Sequence, residues 1–265
     1  MNEILILIYG VLGRSLRFTY KNHNYAIFNE LDRLGYSYKI CYINNDIQES
    51  FIDGCDAELS IIKQLDFDDY IEYKQTNIDN EISNIYSPQS IPNSGEKFIP
   101  HSFRKNINCF RNSFIETKCA EYLMSVNDRF THCIVFCADL WFGSKLTSLQ
   151  VPADKLVKIG AQNPACGLTN GFYSGPVELV SKLINSFSIL YDIKPPCYER
   201  IIRYNAKQNN ISIQKLGSEW PWLKIRCNGE PAYQDKYGGC IRPQWINVRH
   251  LLPSYNKYKL GLLGD

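Results

Sequence analysis

A carboxylate stands at the end of one of the two most apolar runs in the chain. Residues Thr131-His132-Cys133-Ile134-Val135-Phe136-Cys137-Ala138-Asp139 read as a buried strand that terminates in an acid. In an open sheet of parallel strands, ligands bind beyond the carboxyl ends of the strands, so Asp139 is due at the ligand-binding edge. A sugar-nucleotide diphosphate brings clustered negative charge that must be neutralised as the bond to the sugar breaks. A carboxylate there can hold Mg2+ or Mn2+, which prefer oxygen ligands and do this work. The same position also suits an Asp that caps the following turn.

Other residue groups carry chemistry of their own. In Tyr9-Gly10-Val11-Leu12-Gly13-Arg14-Ser15, Gly10 permits close backbone approach and Arg14 offers a guanidinium to phosphate; the alternative is an ordinary βα turn with a solvated arginine. The dinucleotide fingerprint is not met, because the third glycine is missing and Leu16-Arg17 stand near its place. Glu219, in Gly217-Ser218-Glu219-Trp220-Pro221-Trp222, is the candidate general base, since desolvation among aromatic neighbours raises a carboxyl pKa. It also reads as a helix-start carboxylate helped by the dipole. Asp66-Phe67-Asp68-Asp69 is a literal Asp-x-Asp, but it follows no apolar strand and reads as turn-flanking.

The elements that must position these groups alternate in type. Ile4 to Ile8 is a continuous aliphatic run, fit for a strand covered on both faces. Tyr25, Phe28, Leu31 and Leu34 have helical spacing, Gly35 is a helix stop, and Tyr38 to Ile43 is the second strand. Ala57 to Leu65 reads as a short helix and Tyr70 to Tyr73 as a short strand, and Ser83 to His101 as a long loop. Ile107, Phe110, Phe114, Ile115, Cys119, Tyr122 and Leu123 give a broad helical stripe before the strand that ends at Asp139. Leu156 to Ala161 is a further strand and Asn163 to Tyr173 a loop. Pro176 opens a helix, a second helix covers Tyr198 to Gln208, and Ile211 to Leu216 is a strand. Strands alternating with helices predict an α/β fold with a parallel sheet.

The totals bound the function. The 265 residues suffice for one sizeable core, and a net charge of +2 gives no electrostatic basis for capturing nucleic acid or an anionic membrane. No run is long enough to span a bilayer, and the first strand lacks the flanks of a signal peptide. The ten cysteines include no CxxC pair, so reduced thiols and a cytoplasmic location are expected.

Asn108 to Phe142 resembles the core of small GT-A-type glycosyltransferases, including those of large DNA viruses. In them a helix with a basic residue, here Arg111, precedes a hydrophobic strand ending in an Asp-x-Asp or Arg-x-Asp element and an apolar pair. Here the element is Cys137-Ala138-Asp139, with Cys137 in place of the usual first Asp or Arg. The opening Tyr9 to Ser15 is similar to that family's first strand-loop, and Leu168 to Glu178 to its acceptor-lining segment. The resemblance implies a single GT-A-like (Rossmann-like) α/β domain over residues 1–265, with a mainly parallel sheet flanked by helices. Residues 1–140 would form mainly the nucleotide-binding half and 141–265 mainly the acceptor-binding half. It implies a nucleoside-diphosphate-sugar donor met by Tyr9, Gly10, Arg14 and Arg111, with Mn2+ or Mg2+ on Asp139 and a carboxy-terminal His250. The acceptor, a glycan or glycoprotein, would meet Asn170, Gly171, Phe172, Tyr173 and Trp220, with Glu219 as base. For a viral enzyme the location is the host cytoplasm. The alternative is a non-catalytic carbohydrate- or partner-binding protein on a decayed transferase scaffold, for which the cysteine at 137 speaks.

Overall fold

A computed structural model describes residues 3–47, 62, 65–85, 101–160, 171–189, 198–216, 220, 222–225, 229, 231 and 251–261. The first strand, β1 (Ile4–Gly10), feeds two cores at once: Leu5, Leu7 and Tyr9 enter one, and Ile4, Ile6 and Ile8 the other. That double burial is why the run shows no polar alternation. β1 ends at Gly10, whose φ of 124° is a conformation that side chains with a Cβ rarely adopt.

Helix α1 (Leu12–His23) begins two residues later, so Arg14 falls in its first turn and not in the longer turn expected. The chain continues through a π-helical turn (Asn24–Phe28) into α2 (Asn29–Arg33) and stops at Gly35, φ 78°. The stripe from Tyr25 to Leu34 is therefore the second part of a longer helical segment. The first part carries polar residues, Thr19, Asn22 and His23, that bind the backbone of residues 138–142.

β2 (Tyr38–Asp46) lies parallel to β1, and β3 (Asp69–Lys74) parallel to β2. Helices α3 (Gln75–Ile85) and α4 (His101–Ser125) return the chain to β4 (His132–Cys137), parallel to β1 on its other side. Then follow β5 (Leu140–Phe142), β6 (Val157–Gly160), β7 (Phe172–Pro176), α5 (Val177–Ile184), α6 (Tyr198–Gln208), β8 (Ile213–Leu216), β9 (Trp222–Lys224) and α7 (Leu252–Lys259). The seven-stranded main sheet has the order β3-β2-β1-β4-β7-β6-β8, and β5 pairs with β9 in a separate ribbon. β7 is antiparallel to both its neighbours; the other main-sheet pairs are parallel. The molecule is thus α/β, with a mostly parallel central sheet between helices.

β7 corrects the expectation of a loop through Tyr173. Its Phe-Tyr-Ser-Gly-Pro sequence shows no period, yet Gly175 is required there, because a Cβ would lie 2.8 Å from the Leu156 carbonyl oxygen. Residues of α3, α4, α5 and α6 cover one face of the sheet, and those of α1 and α2 cover the other. Cys41, Cys119 and Cys133 are buried free thiols, and Cys137 is a half-buried one. Among the described residues, no helix is long and apolar enough to cross a membrane.

Candidate functional site

Tyr9 and Cys137 are partners in the β1–β4 ladder, and the next amide, Ala138 N–H, donates to the Tyr9 carbonyl at 2.9 Å. Gly10 and Asp139 therefore leave the main sheet side by side at its carboxyl edge. This is also where the strand order reverses, since α1 and α2 carry the chain from β1 to β2, and α3 and α4 carry it from β3 across to β4. Crevices at such switch points are where open α/β sheets take their ligands. Among the described residues, a Cβ on Gly10 would meet nothing within 4 Å, so they leave the space over the bend open.

Asp139 is held by its backbone, and its half-buried side chain keeps one oxygen, Oδ1, out of contact with solvent. Three polar residues of α1 grip the strand-end segment: Thr19 Oγ1 donates to the Ala138 carbonyl at 2.7 Å, and His23 Nε2 to the Leu140 carbonyl at 2.7 Å. Asn22 exchanges both its bonds with Phe142, at 2.9 and 2.6 Å. From the other side Ile225 N–H donates to the Asp139 carbonyl at 2.7 Å. The side chain is half-buried, and its Oδ1 has no hydrogen-bond partner among the described residues. A buried acceptor without a partner costs stability, and a bound ion or water would satisfy it. The capping role is thereby disfavoured.

His23 is the neighbour of this acid. Burial lowers its pKa to about 4, with the Leu140 bond and the Asp139 charge opposing. The imidazole is thus neutral at physiological pH. A carbonyl partner requires the proton on Nε2, which leaves Nδ1 as a second buried acceptor without a partner.

Beneath the edge lies a cluster that the sequence reading missed. Glu116 of α4, 1% exposed, accepts hydrogen bonds from the Tyr9 hydroxyl and, at 3.3 and 3.4 Å, from the Tyr173 hydroxyl. Burial raises its pKa to about 8 against the pull of both tyrosines and of Lys224. Burial likewise pushes the Cys137 thiol up to about 12, so at neutral pH the residue in the first acidic position of the motif is an uncharged thiol. Lys224, opposite Leu140 in the β5–β9 ribbon, is half-buried and acts on both groups. The signal for Glu116 was present in the sequence: it stands three and seven residues before Cys119 and Leu123, a lone acid on an apolar helix face. Lys224 left no comparable trace.

Several sequence-derived site residues have other roles. Phe172 and Tyr173 are fully buried and Trp220 is 2% exposed, so none has a ring face left for a sugar. Trp220 stacks on Phe142 at 4.5 Å and donates to the Ser144 carbonyl, and Phe172 packs edge-on against it. Gly171, φ 109°, accepts from Cys137 N–H at 2.8 Å and forms the bend beside the cluster. Arg111 makes a two-pronged ion pair with Asp79, at 2.8 and 2.6 Å, which offsets the charge expected to meet phosphate. Asp68 binds Lys39 and the backbone of Ile40 at the opposite edge of the sheet, consistent with its turn-flanking reading. Arg14 is described in its backbone alone, and Asn170, Glu219 and His250 lie outside the described residues.

Among the described residues, no three His, Cys, Asp or Glu converge to form a metal cage. A Mg2+-like ion needs none, because it is commonly held by one or two carboxylates together with substrate phosphates. The partnerless Oδ1 of Asp139 fits that mode, whereas the neutral thiol of Cys137 does not contribute to it. No protein-family model and no curated protein matches this chain.

Proposed function

We propose that the chain is a nucleotide-sugar-dependent glycosyltransferase of the GT-A type, with the donor diphosphate lying across the edge between Gly10 and Asp139. The observation that carries this reading is the pairing of an open glycine bend with a partnerless carboxylate oxygen at the strand-order reversal. The start of α1 adds the positive end of a helix dipole beside that bend. Arg14, in its first turn, is assigned to the phosphates.

In the reaction, an acceptor hydroxyl oxygen bonds to the anomeric carbon as the bond from that carbon to the diphosphate oxygen breaks. The hydroxyl proton passes to a base, for which Glu219 is the assigned group. Asp139 would hold a divalent ion, which supplies charge neutralisation to the departing diphosphate. Lys224, close enough to bias Cys137 and Glu116, adds a fixed positive charge to the same edge. The acceptor is assigned as a glycan or glycoprotein by resemblance alone, with Asn170 assigned to its hydroxyls on the same ground.

A panel of nucleotide-sugars, each scanned for thermal stabilisation with and without MnCl2, tests the reading. A uridine or guanosine diphosphate-sugar is expected to raise the melting temperature, since a ligand that binds only the native state stabilises by mass action. The neutral thiol at 137 favours the non-catalytic alternative, which expects glycan binding and no nucleotide response. No shift across the panel in either condition contradicts the proposal.

A further inference from the structure

We infer that Glu116 is a positioning residue for the site proposed above: its one carboxyl ties together the ends of β1 and β7, and so fixes the two glycine bends that border the crevice. The inference rests on that reading for its functional consequence, but its geometry is independent. Tyr9 immediately precedes Gly10, and Tyr173 follows Gly171 by two residues; both hydroxyls converge on Glu116 from strands on either side of β4. Between them the Cys137 amide bonds the Gly171 carbonyl and the Ala138 amide bonds the Tyr9 carbonyl. The carboxyl is thus a tie behind the same backbone that presents Asp139.

The carboxyl accepts both hydroxyl bonds in either protonation state, but only the uncharged form does so without burying a charge. The groups around it are Tyr9 of β1, Cys137 of β4, Tyr173 of β7, Cys119 on α4 itself and Lys224 of β9. Lys224 alone among them is a cation. An ionised Glu116 is a charge sealed in an apolar core, and the release of that strain falls on the strands it joins. Stability held by the protonated carboxyl should therefore be lost as pH rises from the ordinary carboxyl value of 4.5 to about 8, and level off above it. Glu116→Gln keeps the shape and the acceptor oxygen and removes the ionisation.

Hydrogen exchange of the Cys137 and Ala138 amides, corrected for the intrinsic base-catalysed rate, reads this directly in the full chain. In the wild type, protection should fall by at least on the order of tenfold as pH rises toward about 8 and level off above it, and in Glu116→Gln it should stay level throughout. Equal profiles in the two proteins overturn the inference, whether or not nucleotide binds. Calorimetry with UDP or GDP and MnCl2 over the same range separates the two claims. Affinity should weaken with the loss of protection in the wild type alone. A protection change with no nucleotide binding at any pH upholds the positioning role and removes the nucleotide reading. If Glu116→Gln does not fold, Tyr173→Phe serves: losing a donor to the carboxylate should move the exchange midpoint to higher pH, and an unmoved midpoint overturns the inference.

Discussion

His23 and Leu140 are joined by a hydrogen bond of 2.7 Å that carries α1 to the residue directly after Asp139. The bond needs only a proton on Nε2, and burial, against the pull of that bond and of the Asp139 charge, lowers the His23 pKa from 6.5 to about 4. Between those values the unfolded chain binds more protons than the native one, so stability rises with pH through this window and is lost as pH falls. The loss from this residue should be complete below about 4, at on the order of 3 kcal/mol. In His23→Gln, whose amide can still donate to Leu140, urea unfolding at stepped pH should show a flatter acid limb.

Gly10 has open space around its missing Cβ, so substitution there is a test of backbone conformation and not of crowding. Gly10→Ala should cost about 1–3 kcal/mol by chemical denaturation, from forcing a side chain into a glycine region of φ/ψ space. A loss of nucleotide affinity beyond that stability change is expected if the bend faces the diphosphate.

Trp220 is expected to behave as a core residue. Trp220→Ala should destabilise by about 3–5 kcal/mol, with Trp220→Phe much milder. An alanine variant of unchanged stability and selectively weakened acceptor binding would return Trp220 to the acceptor site.

Arg111 and Lys224 should respond differently to removal. Arg111 is already paired with Asp79, so Arg111→Ala should change nucleoside diphosphate affinity by less than about threefold and stability by roughly 1 kcal/mol or less. Lys224→Ala should lower that affinity by about tenfold, because its charge reaches Glu116 and Cys137 directly behind the edge, whatever else it binds. Calorimetric titrations of the two variants at one salt concentration check the contrast.

The sheet was legible wherever burial on both faces suppressed polar alternation, as in Ile4 to Ile8 and Cys133 to Phe136. From those two strands the placement of Asp139 and Gly10 at one edge followed. What stayed hidden were features set by tertiary partners. The first half of the α1 segment looks polar because Thr19, Asn22 and His23 bind the backbone of residues 138–142, a contact that no local pattern encodes. β7 was hidden because its glycine is a close-packing requirement set by Leu156, far along the chain. Phe172, Tyr173 and Trp220 suit both a sugar and a core, as aromatic residues in turn-rich sequence do, and only the fold separates the two. Glu116 shows the reverse case, a residue visible as an anomaly on its helix whose meaning awaited the tyrosines of two strands.

The most direct test is Asp139→Ala, followed by thermal unfolding and by calorimetry with UDP or GDP in the presence of MnCl2. Removing a carboxylate whose buried Oδ1 has no partner among the described residues should leave the melting temperature unchanged or raise it. Nucleotide binding that depends on the ion should disappear in the same protein. Full nucleotide affinity in the variant, or a collapse of its stability, would contradict the assignment of this edge as the donor site.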